Sequence, residues 1–286
     1  MEKPLVKLYS VMAAALVFCL LASPVVVRRT FGASSSLFTR TTLLTYQGSV
    51  PASEPEHLER DKPKAVFVMD DGWKTQYSSG YTVLKSYGFK GCISVIPTAV
   101  GTHGYVTYDQ LAEMYMAGWD MLNHTYSHKN LGALTEKGQT QELVKAKDWL
   151  MSHLLVRGAD VAVFPQGRFS DNTYEILKRE GFVAARSLKS LWTEQANQTK
   201  ENVEVMSLLS DTQLKIVIER IDEIIESKGT LILVLHKIEP ITEHTQMQIE
   251  EQMLKDVAQY LYEKKEQIQV VTMTELINST GQRQAA

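Results

Sequence analysis

Short apolar runs, each followed by a polar turn and a helix-like segment, dominate the chain after residue 63. The clearest are Ala65–Met69, Gly91–Ile96, Val161–Phe164 and Thr230–Leu235. Such runs are typical of strands buried on both faces, and strands that alternate with helices form mostly parallel sheets. About seven such units favour an α/β protein with a closed or nearly closed (β/α) barrel over one with an open sheet.

Turn and capping signals give bounds for the remaining elements. Gly88, Gly118 and Gly181 end predicted helices, and Thr107 begins one. The predicted helices are Tyr77–Tyr87, a helix from Thr107 through Met116, Glu136–Leu155, Asp171–Glu180, Asp211–Ser227 and Thr245–Lys265, and the further strands are Phe182–Ala185, Val203–Leu208 and Gln269–Thr272.

An apolar stretch near the N-terminus is separate from this pattern. Leu8–Val27 is long enough to span a bilayer, and basic residues flank it on both sides. We interpret residues 1–33 as a signal peptide or membrane anchor, 34–62 as a linker or stalk, and 63–286 as the folded domain. A membrane-anchored protein with an extracytoplasmic domain and a secreted protein remain alternatives.

Charge and cysteine content exclude several classes of function. Residues 45–286 carry 25 basic and 32 acidic residues, so nucleic acid is not an expected partner. The chain has two cysteines, Cys19 in the apolar stretch and Cys92 in the body. A disulfide framework and a cysteine-built zinc site are therefore excluded, and Cys92 is predicted to be a core residue.

Unusual polar residues follow several of the predicted strands. Asp70 and Asp71 follow the first, His124 and His128 lie four residues apart after another, and His236 follows Thr230–Leu235. In β/α barrels the chemistry gathers at the carboxyl ends of strands. We expect the two histidines to share one face of a helical turn.

Two histidines with one aspartate form the open three-ligand set of a hydrolytic metal site, which leaves a position for water. The second aspartate can then act as a base, and the remaining histidine can protonate a leaving group. Spacing alone does not decide which aspartate binds the metal. Individually, the pair also fits a turn or a helix cap, and His236 also fits a buried histidine without a catalytic role.

The motifs that contain these polar residues, in their order along the chain, resemble those of the NodB-like polysaccharide deacetylases, carbohydrate esterase family 4. Val68-Met69-Asp70-Asp71-Gly72 resembles the family's T-F-D-D-G motif, and His124-Thr125-Tyr126-Ser127-His128 matches H-[S/T]-x-x-H. Phe164-Pro165-Gln166-Gly167 resembles the third motif, and Leu233-Val234-Leu235-His236 matches L-x-L-H. The resemblance covers about residues 63–279 and implies a distorted, incomplete (β/α) barrel.

The resemblance also implies roles for individual residues. Asp70 is expected to be the catalytic base and His236 the general acid, while the Gln166 backbone N–H helps to hold the oxyanion. The metal ligands are expected to be Asp71, His124 and His128, around Zn²⁺ or another divalent metal such as Co²⁺. The expected substrate-binding residues are Trp73, as a wall on which a sugar stacks, Leu235, in the pocket for the acetyl methyl group, Pro165 and Arg186.

Four departures from the family pattern affect this interpretation. Met69 replaces an aromatic residue, and Gln166 replaces a tyrosine without removing the main-chain donor. No arginine precedes Pro165, so either Arg168 or Arg186 is expected to orient the base instead. The D-x-x-D-W motif is not evident.

These features predict a metal-dependent hydrolase that removes N-acetyl groups from an N-acetylhexosamine-containing glycan outside the cytoplasm. Its expected partners are the acetylated polysaccharide and, if the N-terminal segment is retained, the membrane. The alternatives are an O-acetyl esterase, another amide hydrolase, and a non-catalytic glycan-binding domain. A glycosidase with paired carboxylates is disfavoured because Asp70 and Asp71 are neighbours and the histidines would be unexplained.

Overall fold

The computed structural model describes residues 59, 61–194, 198–199, 202–241 and 246–281. All of them belong to one compact unit. The predicted anchor, residues 8–27, and nearly all of the predicted linker lie outside the described residues, so their roles stay predictions. No helix within the described ranges has both the length and the apolar character needed to cross a bilayer.

The described part of the chain contains one large sheet and a small two-stranded sheet. The strands are β1 (Lys64–Met69), β2 (Cys92–Val95), β3 (Asp120–Asn123), β4 (Val161–Val163), β5 (Ala184–Arg186), β6 (Leu191–Thr193), β7 (Gln198–Thr199), β8 (Val203–Ser207), β9 (Thr230–Leu235), β10 (Lys237–Ile238), β11 (Gln248–Ile249) and β12 (Gln269–Val270).

Seven strands of the large sheet run parallel, in the order β5-β4-β3-β2-β1-β9-β8. Strand β12 pairs in parallel with the first two residues of β1, and β6 and β7 extend the β5 edge in antiparallel fashion. The sheet curls into a nearly closed barrel. The predicted distorted, incomplete (β/α) barrel with about seven parallel strands is therefore confirmed.

Helices cover the outside of the barrel. The α-helices are α1 (Thr82–Ser86), α2 (Tyr108–Met116), α3 (Glu136–Ser152), α4 (Asn172–Arg179), α5 (Leu214–Ser227), α6 (Glu251–Glu263) and α7 (Met273–Gly281), and a π-helical turn, Gln76–Tyr81, precedes α1. The Thr107 side chain caps α2 together with Gln110, in a capping box.

The C-terminal part differs from the expectations in two ways. The helix expected from residue 245 begins only at Glu251, because Gln248–Ile249 pairs with Lys237–Ile238 as a short strand. Helix α7 was not expected. Its Leu276 and Ile277 pack against the side chains that fill the barrel interior.

The strands divide their side chains between two cores. In β1, Val66 and Val68 pack in the interior with Leu122 and Val234, whereas Phe67 and Met69 pack outward beneath the helices. Successive side chains of a strand point to opposite faces. A residue two positions after the last interior residue of a strand therefore lies on the same face, at the carboxyl rim of the barrel. Five polar residues lie at this rim: Asp70, Ser94, His124, Arg186 and His236.

Candidate active site

The two aspartates leave β1 on different paths. Asp70 continues the interior face and is 3% exposed, and its N–H bonds to the Leu235 carbonyl at 2.8 Å. The chain then turns through Asp71 and Gly72, which have φ of 80° and 78°. This left-handed turn directs Asp71 away from Asp70, so two neighbouring carboxylates serve different surroundings.

Asp71, His124 and His128 form a cluster whose ligand atoms all lie within 4.8 Å of one another. Asp71 Oδ1 is 3.3 Å from His124 Nε2 and 3.2 Å from His128 Nε2. Burial raises the pKa of Asp71, but hydrogen bonds from the two imidazoles outweigh it and leave the pKa well below its usual range. An anionic carboxylate beside two imidazoles is a donor set that suits a divalent cation.

A backbone contact fixes the orientation of His124. Its Nδ1 lies 2.8 Å from the Val163 carbonyl oxygen, which can only accept a hydrogen bond. Nδ1 therefore carries a hydrogen, and Nε2, which donates to Asp71 when the ring is protonated, is the nitrogen that can coordinate a metal once it releases its own hydrogen. A hydrogen bond from the second ring nitrogen is the usual arrangement of metal-ligating histidines, so the residues fit a metal ion.

The two histidines meet through a loop, which corrects the expected helical turn. Residues 124–128 are not helical, and Thr125 and His128 have left-handed φ of 62° and 58°. Two residues outside the sequence prediction hold this loop. Asn123 Oδ1 accepts from Thr125 N–H at 3.0 Å, and the Glu142 carboxylate accepts from Ser127 N–H at 2.8 Å and from its hydroxyl at 2.7 Å.

Asp70 is paired with the buried arginine Arg186. The guanidinium contacts Asp70 Oδ2 and is 0% exposed, while the Ser94 hydroxyl donates to Asp70 Oδ1 at 2.8 Å. Burial raises the pKa of Asp70, but Arg186, with His124 and His236, outweighs burial and holds the pKa below its usual value. Of the two arginines considered from the sequence, Arg186 occupies the position that orients Asp70. Its buried place differs from the substrate-facing one expected, and Arg168 is exposed.

His236 lies at the same rim, 7% exposed, directly after β9. Burial lowers its pKa, against the opposing effect of Asp70 and Asp71. Its buried Nδ1 has no hydrogen-bond partner among the described residues. The Gln76 side-chain amide, which the sequence did not single out, donates both to the Asp70 carbonyl and to the His236 carbonyl, the latter at 2.9 Å. Gln76 thus ties together the ends of the two strands that carry Asp70 and His236.

The third motif forms a tight turn after β4. Pro165 is buried within a short 3₁₀ turn, Pro165–Gly167, and Gln166 is exposed. Gln166 has φ of 57°. Among the described non-glycine residues, seven have such left-handed φ, and four belong to the motifs of this site: Asp71, Thr125, His128 and Gln166. Backbone strain of this kind concentrates at functional sites.

Leu235 does not line the rim, which corrects its expected place in an acetyl pocket. It packs in the outer core with Phe67 and Leu233, on the face of β9 opposite to His236. Val234 belongs to the interior core, two positions before His236. The error comes from treating a motif as a list of residues without applying the two-residue period of a strand.

Trp73 lies against the metal-ligand cluster. Its indole Nε1 donates to Asp71 Oδ2 at 2.9 Å. Its ring stacks on Tyr105 with the centroids 4.5 Å apart, and Lys237 Nζ lies 4.6 Å from its centroid. A wall for sugar stacking requires a free ring face. Tyr105 covers one face of Trp73 and Lys237 lies over the ring, and the sugar-stacking role of Trp73 stays a prediction.

Fold and site together define a nearly closed parallel barrel with an Asp-His-His cluster at the carboxyl rim. Residues 57–185 match the family described as polysaccharide deacetylase. This match confirms the resemblance to the polysaccharide deacetylases that the motifs indicated.

One curated relative is YxkH of Bacillus subtilis (strain 168), which is named as a candidate polysaccharide deacetylase. It is 30% identical over 141 residues, which are 48% of this chain and 50% of the relative. This chain thus spans about half the length of the curated relative it matches.

Solved structures share the fold. A family 4 carbohydrate esterase from Bacillus anthracis is 18% identical, with a TM-score of 0.52, and the match covers 78% of this chain and 86% of that one. A mutant of a family 4 pseudoenzyme with restored enzymatic activity is 17% identical, with a TM-score of 0.54 and coverage of 77% and 70%. At these identities the likeness concerns the fold alone.

Proposed function

We propose that this protein is a metal-dependent hydrolase that removes N-acetyl groups from an N-acetylhexosamine-containing glycan. One observation carries the proposal: a cluster of three ligand atoms within 4.8 Å lies beside a second, buried carboxylate, Asp70, which has its own arginine. A turn or a structural ion pair would explain either the three-ligand cluster or the Asp70–Arg186 pair alone. Metal-dependent hydrolysis requires both, because the cluster would hold the metal and the second carboxylate would act as the base. The polysaccharide deacetylase match supports the substrate class.

Asp71, His124 and His128 would hold the metal. A divalent cation such as Zn²⁺ or Co²⁺ supplies Lewis acidity, which polarises a carbonyl and makes water a nucleophile near neutral pH. The chain contributes the charge and direction of its three ligand atoms. The Val163 carbonyl keeps Nε2 of His124 directed toward Asp71, and the Glu142 carboxylate anchors the loop that presents His128.

Asp70 is suited to accept the proton of the attacking water. Arg186 keeps its carboxylate ionised, and the Ser94 hydroxyl fixes one of its oxygens. A base held in one rotamer by two partners loses little freedom when the substrate arrives. General base catalysis of this kind contributes about 10²–10⁴-fold to a rate.

Gln166 and His236 would act on the acetamide from different sides of the rim. The backbone N–H of Gln166 is suited to donate to the oxygen that becomes negative when water attacks the carbonyl. His236 would donate a proton to the departing nitrogen. Because burial lowers its pKa, its protonated form is a stronger acid than an exposed imidazolium.

Catalysis outside the cytoplasm belongs to the same proposal. It is supported by the sequence of residues 1–33, in which an apolar stretch is flanked by basic residues. Cell fractionation distinguishes the two forms of the proposal, a membrane-anchored protein and a secreted one. Recovery of the chain with the membrane or with the medium supports one of them, and recovery with the cytoplasm contradicts both.

The decisive experiment measures acetate release by the purified full chain with Zn²⁺ or Co²⁺ on a panel of acetylated glycans. Asp71→Asn is expected to lose both metal and activity, because an amide is a poorer ligand than a carboxylate. Asp109→Asn, an exposed aspartate in the first turn of α2, is the matched control and is expected to keep both. Release from O-acetylated glycans alone would replace the proposal with an esterase. Glycan binding without any release would replace it with a binding domain.

A further inference from the structure

The two carboxylate oxygens of Asp71 have separate partners. Oδ1 faces the imidazoles of His124 and His128 at 3.3 and 3.2 Å. Oδ2 accepts the indole N–H of Trp73 at 2.9 Å. The carboxylate therefore presents one oxygen to the metal-ligand cluster while the other is held by a neutral donor.

The indole that holds Oδ2 is itself fixed from two other parts of the barrel rim. Tyr105, in the loop after β2, stacks on its ring at an interplanar angle of 21°, and Lys237, after β9, lies over the ring. The backbones of Trp73 and Tyr105 also form an isolated bridge, flanked by bonds from Val106 N–H to the Gly72 carbonyl and from Lys74 N–H to the Gly104 carbonyl, each 2.9 Å long.

Stacking alone does not account for this arrangement. A phenylalanine at position 73 could stack on Tyr105 and face Lys237 equally well. The feature that requires tryptophan is its donor at the edge of the ring, which reaches the free oxygen of Asp71. A carboxylate whose second oxygen is engaged is restricted to one oxygen and one direction toward a metal.

We propose that Trp73 is a positioning residue for the metal site: its indole N–H fixes Asp71 so that Oδ1 alone is directed at the ion shared with His124 and His128. The proposal rests on the proposed function in that it assumes a metal at this cluster. It assigns Trp73 a different role from the sugar-stacking wall expected from the sequence.

The test compares Trp73→Phe with Trp149→Phe, which removes an indole elsewhere on the protein. Zn²⁺ affinity is measured by competition with a chromophoric chelator, and the absorption spectrum of bound Co²⁺ reports the ligand geometry. Trp73→Phe is expected to weaken Zn²⁺ binding about 10–100-fold, the usual effect of losing a hydrogen bond to a metal ligand. It is also expected to alter the Co²⁺ spectrum. Trp149→Phe is expected to change neither.

Unchanged Zn²⁺ affinity and an unchanged Co²⁺ spectrum in folded Trp73→Phe would overturn the proposal. If that variant does not fold, the indole N–H resonance of Trp73 is followed by NMR in the wild-type chain. We expect it to shift when Zn²⁺ is added, and a resonance that does not move would contradict the role. Because these measurements follow metal binding, they are independent of acetate release. If the wild-type chain binds Zn²⁺ in a way that depends on Trp73 but releases no acetate, this inference stands and the proposed function is refuted. If the wild-type chain binds no metal, both are refuted.

Discussion

Among the described residues, two buried aspartates each pair with an arginine, one at each end of the barrel interior. Asp70 and Arg186 lie at the carboxyl ends of the strands, and both side chains are at most 4% exposed. Asp120 lies at the amino end of β3 and is 0% exposed, with Arg157 Nε at 3.2 Å from its Oδ1. The same pair of residue types thus occupies two comparable positions on one sheet.

The pKa values of the two carboxyl groups nevertheless shift in opposite directions. The Arg186 guanidinium, together with His124 and His236, outweighs burial and lowers the pKa of Asp70, whereas burial dominates at Asp120 and raises its pKa. Arg157 is 33% exposed and also donates to the Tyr115 and Trp119 carbonyls. Water and these carbonyls therefore weaken the electrostatic effect of its guanidinium on Asp120. The comparison teaches that the number of cationic groups around a buried carboxylate, and their exposure to water, set the direction in which its pKa shifts.

Substitution of each aspartate gives the largest expected difference. Asp70→Asn is expected to keep near-stoichiometric metal and to slow turnover by about 10²–10⁴-fold, because an amide cannot accept the proton. Asp120→Asn is expected to leave turnover almost unchanged. Acetate release and elemental analysis of both variants measure this, and equal losses of turnover would show that the two ends are not distinct.

Substitution of each arginine should separate activity from stability. Arg186→Met leaves Asp70 as an unpaired buried charge and is expected to cost about 3–5 kcal/mol of unfolding free energy. It should also reduce turnover about 10–100-fold, with partial rescue by Arg186→Lys. Arg157→Met is expected to lower stability less, because water screens its partly exposed guanidinium, and to spare turnover. Denaturant unfolding and acetate release are measured on the same preparations, and loss of turnover in Arg157→Met would contradict the comparison.

The pH dependence of stability should show the effect of the raised pKa of Asp120. A carboxyl whose folded-state pKa lies above its unfolded value binds protons more readily in the folded protein. Its contribution to stability is complete below the unfolded pKa, about 3.8, and is lost as the pH rises through the folded pKa. Relative to Asp120→Asn, the wild type is therefore expected to lose unfolding free energy between acidic and neutral pH. Urea unfolding across that range measures it, and a difference that does not vary with pH would show that Asp120 is not perturbed.

The smallest effect is expected for the arginine that the sequence offered as an alternative. Arg168 is exposed, and none of the described ion pairs includes it. Arg168→Ala should therefore change turnover little, in contrast to Arg186→Met. A loss of comparable size would move the orienting role from Arg186 to Arg168.

Much of the fold follows from the sequence because its signals are local. The run Thr230–Leu235 and the Thr107 cap each predict an element that the structure contains with closely similar bounds. The short strands β10 and β11 are two residues each and depend on pairing with each other. Such pairing is a tertiary event that no propensity records. For the same reason the start of α6 was placed too early.

The site was predictable in its residues but less so in its geometry. The motifs singled out Asp70, Asp71, His124, His128 and His236, which lie at one rim. They did not reveal Glu142, which reaches the histidine loop from a helix 15 positions away along the chain. Arg186 could not be chosen over Arg168, because burial beside Asp70 depends on the closure of the sheet. The face of Leu235, by contrast, could have been derived from strand alternation alone.

The left-handed backbone at Gln166 has a consequence for engineering the thermal tolerance of this protein. A non-glycine residue in that conformation lowers the free energy of unfolding by roughly 1–2 kcal/mol relative to glycine. Glycine, in turn, lowers it by roughly 0.5–1 kcal/mol, because its more flexible chain loses more entropy on folding. The Gln166 side chain is exposed, and the group proposed to act is its main-chain N–H, which glycine also has. At position 166 the substitution Gln166→Gly is therefore expected to raise the melting temperature of the protein. It removes a side chain from the candidate site but keeps the backbone N–H that is proposed to act there.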